Sequence, residues 1–385
     1  QLILKTSNGG QSWTEFSPDL STQDRSRVVS SGGLVGDNLG QYDGEVVWSI
    51  EYSKIQRGLI WAGTNDGKVW NTRDGGAHWN DVTANVHMPP WGIVREISPS
   101  TYDAGTAYMA VDYHLMDNRK PFIYKTTDFG KSWTRISDGL PQDHTLDYAL
   151  TVAENPNRKG MLFAGTGHAF YYSMDDGAHW THFQEGLPAS PVTWIVVPKL
   201  FHDVVVSTYG RGVYIMHDIT ALEQRDKVPA DADAYFYEPR AGYRQARSGS
   251  AEFLFQAKAA PKDSVEVQIA DSHGTVVRTM KQAGRRGENV VRWDLQYDGP
   301  DQPELRTAAP DNPNIWDETR FKDKDTRPVD HWGIEGTQRA GPLAVPGKYT
   351  ARLTVDGKTY TRPFEVVTDP ALTTSQWGAF AWVTE

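Results

Sequence analysis

Four copies of one short pattern constrain this chain more than any other feature. They read Thr6-x-Asn8-x-Gly10-x-x-Trp13, Thr72-x-Asp74-x-Gly76-x-x-Trp79, Thr126-x-Asp128-x-Gly130-x-x-Trp133 and Ser173-x-Asp175-x-Gly177-x-x-Trp180, with start-to-start spacings of 66, 54 and 47 residues. A period of roughly 50 residues marks supersecondary units stacked side by side. Each residue type in the pattern has a physical task. Asn or Asp at the third position bonds backbone N–H groups two residues on and closes a tight turn. Gly at the fifth permits a positive φ without a Cβ clash. The hydroxyl at the first adds a local bond to the backbone. The Trp at the eighth supplies a large apolar surface to bury between neighbouring sheets. The flanks read as strands, with Leu59-Ile-Trp-Ala ahead of the second copy, Lys68-Val-Trp-Asn running into it and Trp79-Asn-Asp-Val-Thr following it. Strand, tight turn, strand is therefore the repeating unit. The boxes are read as folding devices, so Asn8, Asp74, Asp128 and Asp175, with Trp13, Trp79, Trp133 and Trp180, are assigned a structural role.

This pattern resembles the Asp-box, or BNR repeat, of sialidases, sortilin-like receptors and xyloglucanase-type glycoside hydrolases. More narrowly, the chain up to roughly residue 225 resembles secreted bacterial sortilin-like BNR-repeat proteins, often labelled glycosyl hydrolases. The stretches that carry this likeness are LIWAGTNDGKVWNTRDGGAHW from Leu59, AYMAVDYHLMDNRKPFIYKTTDFGKSW from Ala107 and VVVSTYGRGVYIMHDI from Val204. The resemblance implies an all-β fold, an Asp-box β-propeller. It implies much less about activity, because this fold hosts both enzymes and receptors.

Composition fits a β-rich chain of 385 residues, long enough for two or three domains. Its 35 Gly and 22 Pro suit many turns, and its aromatic share of 11% suits sheet packing. A net charge of −10 argues against nucleic acid or an anionic membrane as the main partner. The absence of cysteine excludes disulfides and thiolate metal sites. No apolar run is long enough to span a membrane. No Gly-rich loop has phosphate-cradling spacing, and no His/Asp/Glu spacing matches a strong metal signature, so neither cofactor nor bound metal is expected.

Read unit by unit, residues 1–20 hold the last two strands of a blade. Residues 45–85, 92–140 and 147–187 hold full four-stranded blades, and 192–218 hold three strands without an Asp-box. The expectation is a partial propeller of about four to five blades over 1–220, closed by missing upstream blades or by another chain, because propellers form rings of about 4–8 blades. Residues 221–231 read as a linker with a short helical piece. Residues 232–370 read as an Ig-like β-sandwich, with strands near Glu252, Ser264, Gly274, Asn289, Gly347 and Lys358 and turn residues between them. The phrases VVRWDL at Val290 and PGKYTARLTVDGK at Pro346 resemble the Ig-like domain of flagellar hook-capping proteins. A long insertion at 298–342 carries Trp316, Phe321 and Trp332 as anchors or as a docking arm, and a tail follows at 371–385.

In a blade the Asp-box joins strands three and four. The loops between strands two and three, and between blades, then gather at the opposite face. In the sialidase relatives that face carries the active site. Here it collects Asn65, Asp66, Asp112, His114, Asp117, Arg119, His168, Tyr209 and Arg211 from the first kind of loop. His87, Trp91, His144, Asp147 and Trp194 come from the second. Residues 111–120 are the densest segment, with two carboxylates, an imidazole and a guanidinium. Carboxylate pairs serve glycoside hydrolysis as acid and as base or nucleophile. Asp112 and Asp117 are therefore the catalytic candidates, and His114, Arg119, His168, Trp194, Tyr209 and Arg211 the ligand-binding candidates. Equally, Asp and His in such loops serve turns, and Arg fixes a loop by pairing with a carboxylate. The favoured reading is an extracellular, cell-surface or periplasmic module that binds glycan or peptide, or a structural subunit of a surface assembly. The alternative is a glycoside hydrolase of xyloglucanase or sialidase type.

Overall fold

The structure, a computed structural model, describes residues 1–24, 45–245, 248–299, 306–308, 311–312, 314, 319, 322–328 and 341–370. Trp316, Phe321 and Trp332 of the insertion, and the tail from 371, lie outside the described residues. The chain divides into two compact units, residues 1–219 and 220–385.

The first unit is a β-propeller built of successive antiparallel sheets. A short pair, β1 (Leu4–Lys5) and β2 (Thr14–Glu15), comes first. The second blade comprises β3 (Val47–Tyr52), β4 (Ile60–Thr64), β5 (Val69–Thr72) and β6 (Asn80–Asp81). The third comprises β7 (Ile93–Pro99), β8 (Ala107–Asp112), β9 (Phe122–Thr126) and β10 (Thr134–Arg135). The fourth comprises β11 (Ala149–Glu154), β12 (Leu162–Thr166), β13 (Phe170–Ser173) and β14 (Thr181–Phe183). A three-stranded sheet of β15 (Val192–Val196), β16 (Val204–Thr208) and β17 (Gly212–Met216) follows. Inner strands β3, β7, β11 and β15 pack side by side. The second strands of the second to fourth blades are almost wholly buried, as in Ala107–Asp112 and Leu162–Thr166, because blades cover them on both faces. Gly63 in β4 shows how close the blades come. A Cβ there would stand 2.3 Å from Val94 of the next inner strand.

Each Asp-box is the same hydrogen-bonded knot. The amides of Gly10, Gly76, Gly130 and Gly177 donate to the hydroxyls of Thr6, Thr72, Thr126 and Ser173 at 2.9–3.0 Å. The side-chain oxygens of Asn8, Asp74, Asp128 and Asp175 accept the amides of Ser12, His78, Ser132 and His179 at 2.8–3.0 Å. The carboxylate thus reaches four residues on rather than two, and it is the hydroxyl that serves the inner part of the turn. The glycines take φ of 81–95°, which a Cβ would oppose. Three boxes are also tied to the preceding hairpin. Gly75, Phe129 and Asp176 donate their amides to the carbonyls of Gly58, Gly105 and Gly160 at 2.7–2.9 Å.

The box tryptophans sit in the seams between blades, half-buried rather than buried. Trp79 meets Phe16 edge-on at 6.1 Å and donates to its carbonyl at 3.1 Å. Trp133 meets Trp61 at 5.8 Å, and Trp180 donates to the Ile136 carbonyl at 2.8 Å. They stay half-exposed because they start the short outer strands, whose residues at 80–81 and 134–135 face solvent. Trp13 is 56% exposed and bonds only to its own turn, at Gly10.

The second unit opens with α1 (Thr220–Glu223). It continues through β18 (Ala234–Phe236), β19 (Gly242–Arg244), β20 (Gly249–Ala257), β21 (Val265–Ala270), β22 (Val276–Gln282) and β23 (Gly287–Trp293). The small ribbon of β24 (Arg306–Ala308) and β25 (Thr326–Pro328) lies within the insertion, ahead of β26 (Gly347–Val355) and β27 (Lys358–Thr368). One sheet pairs β18, β20 and β23, while the other runs β20-β19-β27-β26-β21-β22, so β20 belongs to both. The pairing is antiparallel except between β19 and β27. Strict alternation of buried and partly buried residues along 251–257 turns one face of β20 inward. The two sheets close over Phe236, Phe253, Phe255, Trp293, Tyr349 and Phe364 as a β-sandwich. Strands β18 and β19 lack a strong alternating pattern, and their sequence did not announce them.

Candidate functional site

Four antiparallel strands in chain order place the Asp-box turns at one end of each blade. The loops between second and third strands, and the crossings to the next blade, lie at the other end. The site candidates fall on this second end, the loop face.

One irregularity shapes it. The inner strands β3, β7, β11 and β15 each carry a register shift near their start, between Val47 and Ser49, Val94 and Glu96, Ala149 and Thr151, and Val192 and Trp194. The bypassed residues are Trp48, Arg95, Leu150 and Thr193. Such bulges re-aim a side chain. Arg95 is aimed along the seam. Its guanidinium lies 4.8 Å from the centre of the Trp48 ring and donates to Asp112 Oδ2 from Nε at 3.0 Å and Nη2 at 2.8 Å.

Asp112 ends β8 and is 1% exposed. Beyond Arg95 it accepts the His114 amide at 2.8 Å and the His114 Nδ1 at 2.7 Å. Burial alone would raise its pKa, but the His114 hydrogen bonds and the Arg95 charge outweigh burial and hold the carboxyl below its usual range. Asp112 is thus a buried carboxylate that anchors this network, holding Arg95 and His114. His114 in turn stacks on Tyr148 at 4.5 Å, joining the third blade to the fourth. The loop as a whole is a single 3-10 turn over His114–Met116, closed by Asp117 in the left-handed region. Asp117 has a 97% exposed side chain and stands 3.8 Å from Arg119. Asp112 and Asp117 thus face different surroundings, one the interior and the other bulk water.

His168 is half-buried on the β12–β13 loop, with Nδ1 on the Leu146 carbonyl at 2.9 Å and its ring 4.5 Å from His144. Tyr209 and Arg211 are exposed at the β16–β17 turn, Tyr209 by 79%. Trp194 lies in inner strand β15 rather than in an inter-blade loop. It lines the central channel with Glu51, Glu96 and Glu154, away from the His114 network. Glu96 is buried there and accepts hydrogen bonds from the Thr151 hydroxyl and, at 3.3 Å, the Val152 amide. Burial, with a smaller push from Glu51, lifts its pKa to about 8.

A cleft of 520 Å³ opens on the loop face beside the β4–β5 loop and the crossing to the third blade, lined among others by Asp24, Lys68, His87, Met88, Pro90 and Trp91. Two of these residues hold positive φ, His87 at 54° and Trp91 at 65°. Such backbone costs free energy and persists where the surroundings enforce it, often at ligand sites. Gly67 lets the backbone pass close by, since a Cβ on it would meet the Trp91 amide at 3.2 Å. Asp66, at the same cleft, accepts hydrogen bonds from the Thr22 amide and hydroxyl at 2.7 Å and from the Thr64 hydroxyl. Sequence reasoning missed Trp48, Arg95 and Tyr148, because bulges in buried strands leave no local signature.

No family model matches the chain. It is 23% identical over 241 residues to a xyloglucanase of Hypocrea jecorina, a match covering 56% of this chain and 26% of the relative. It is 27% identical over 115 residues to an oligoxyloglucan-reducing end-specific xyloglucanase of Emericella nidulans, covering 29% of this chain and 13% of that one. The chain thus spans about a quarter or less of the curated relatives it matches. Among solved structures, a GH74 xyloglucanase from Xanthomonas campestris matches at 15% identity and a TM-score of 0.37, over 82% of this chain and 45% of that one. An ancestral GH74 enzyme matches at 13% and 0.40, over 73% and 35%. No helix among the described residues is long and apolar enough to cross a membrane.

Proposed function

We propose that the propeller unit engages a β-glucan of the xyloglucan class, as part of a protein that hydrolyses such glycans outside the cell. The observation that carries this reading is the Trp91 cleft. Sugar rings present apolar C–H faces and polar edges, and they suit a groove with an indole and apolar floor and a polar rim. Met88, Pro90 and Trp91 form such a floor, and Lys68, His87 and Asp24 such a rim. The bonded backbone around Gly67 presets the groove, so little ordering entropy is lost on binding. The low-identity xyloglucanase relatives favour hydrolysis over passive binding. Asp117, open to solvent, remains the acid/base candidate, while Asp112 holds Arg95 and His114 in place.

The test is electrophoresis of the full chain through gels containing soluble xyloglucan, beside an assay for released reducing ends. The parent should be retarded, and Trp91→Ala should bind about tenfold more weakly, the loss of roughly 1.4 kcal/mol. A parent that migrates alike with and without polymer, and releases no reducing ends, would sink the proposal. Binding that survives Trp91→Ala would move the groove elsewhere on the loop face.

A further inference from the structure

We propose that His144, Asp147 and His168 form a binding site for a divalent transition-metal ion of the zinc type, on the loop face of the fourth blade. The residues come from two segments. His144 and Asp147 belong to the crossing from β10 to β11, and His168 to the β12–β13 loop. One ligand atom of each lies within 4.8 Å of the others.

The hydrogen bonding shows why these atoms want a cation. Asp147 is 2% exposed. Its Oδ2 accepts the His144 amide at 2.8 Å, which fixes the carboxylate. Its Oδ1 is buried and accepts no hydrogen bond. A buried carboxylate oxygen without a donor is costly. The nearest polar atom among its ring neighbours is His168 Nε2 at 3.7 Å, too far for a hydrogen bond. The His168 Nδ1 faces the Leu146 carbonyl at 2.9 Å, and a carbonyl only accepts, so Nδ1 carries the proton. In the neutral ring Nε2 then presents a lone pair toward the carboxylate. Two electron-rich atoms face each other, and a metal ion between them satisfies both. The Leu146 carbonyl plays the part of the outer partner that orients a metal-bound histidine.

His144 completes the set. Its ring lies 4.5 Å from that of His168, tilted by 38°. Its Nδ1 accepts the Leu146 amide at 3.1 Å, but the residue is exposed, so the ring turns without disturbing the core. Two imidazoles and one carboxylate suit zinc and its neighbours in the first transition row, whereas calcium and magnesium prefer all-oxygen shells. Three protein ligands leave at least one position for water or a ligand oxygen. The sequence hides the site, because His-x-x-Asp followed by a histidine 21 residues on matches no familiar spacing (168−147).

The experiment is calorimetric titration of chelator-treated full chain with Zn²⁺, paired with thermal melts and with Co²⁺ absorption spectra. The parent should bind one Zn²⁺ saturably, melt several degrees higher with it, and give the visible bands of four- or five-coordinate Co²⁺. His144→Ala and His168→Ala should each abolish that binding, while His179→Ala, on an Asp-box, should not. His144 is exposed, so its alanine variant keeps the fold and separates lost ligation from lost structure. Trp91→Ala should leave zinc binding intact, which keeps this site distinct from the glycan cleft. No zinc binding by the parent would overturn the proposal. So would a zinc isotherm unchanged in both alanine variants, or preferential binding of Ca²⁺ or Mg²⁺.

Discussion

The Arg95 guanidinium lies 4.8 Å from the centre of the Trp48 ring, and both residues are the bypassed positions of bulges in adjoining inner strands. This stack is one link in a chain of contacts that crosses two blade seams. It runs from Trp48 to Arg95, through Asp112 to His114, and on to Tyr148. The first links join strand residues to one another, and His114 and Tyr148 carry the chain onto the loop face.

Asp112→Asn should unsettle this chain, because it leaves Arg95 beside an uncharged, buried amide. Arg95 keeps part of its side chain in water, so the loss should be about 2–3 kcal/mol at neutral pH, below the range for wholly buried pairs. The sign with pH follows from the depressed pKa of Asp112. Its contribution is present above the unfolded carboxylate value and is lost as pH falls through the lower folded value. Urea melts at pH 7 and at pH 2 should show the parent–variant gap closing in acid. An undiminished gap would mean that the carboxylate's charge is not what matters.

Trp133→Ala should destabilise the propeller by about 2–3 kcal/mol, less than for a fully buried aromatic, because the indole is only partly covered. Its edge-to-face partner Trp61 is fully buried in the neighbouring blade. A double-mutant cycle between Trp61→Ala and Trp133→Ala should return a coupling of about 0.5–1.5 kcal/mol. Additive losses would show that the seam does not depend on this pair.

The four boxes were legible because their chemistry is local. Hydroxyl, carboxylate and glycine bond within one turn, so spacing alone reveals them. The depth of the tryptophans was not legible, since it depends on how far the outer strands reach, and those strands are only two or three residues long. The loop face was half legible. Asp112, His114, Asp117 and Arg119 crowd one short segment, and the sequence shows that crowding. It does not show Arg95 arriving 17 residues earlier through a bulge to pair with the Asp112 carboxylate.

Trp293→Ala should be the most damaging single change in the second unit. The indole is fully buried, meets Tyr349 at 5.7 Å and Phe364 at 6.1 Å, and donates to the Gln296 carbonyl at 2.7 Å. Its removal opens a cavity and strands an acceptor, a loss of about 3–5 kcal/mol. Chemical denaturation followed by circular dichroism should register it. A midpoint within error of the parent would refute the central place of this residue in the sandwich core.

Glu96 should make the propeller less stable as pH rises. Its carboxyl is buried in the central channel, and its pKa is raised from 4.5 to about 8. Between those values the folded chain holds a proton that the unfolded chain has released. Stability therefore falls across that window and levels off above it. Glu96→Gln keeps an oxygen that can accept from Thr151 and Val152 but has no charge to bury. The variant should match the parent near pH 5 and exceed it by at least about 1 kcal/mol at pH 9. Denaturation midpoints at the two pH values decide the matter. Parallel losses in parent and variant would place the alkaline instability on another group. A variant weaker than the parent at pH 9 would show that the ionised carboxylate is favourable in the channel.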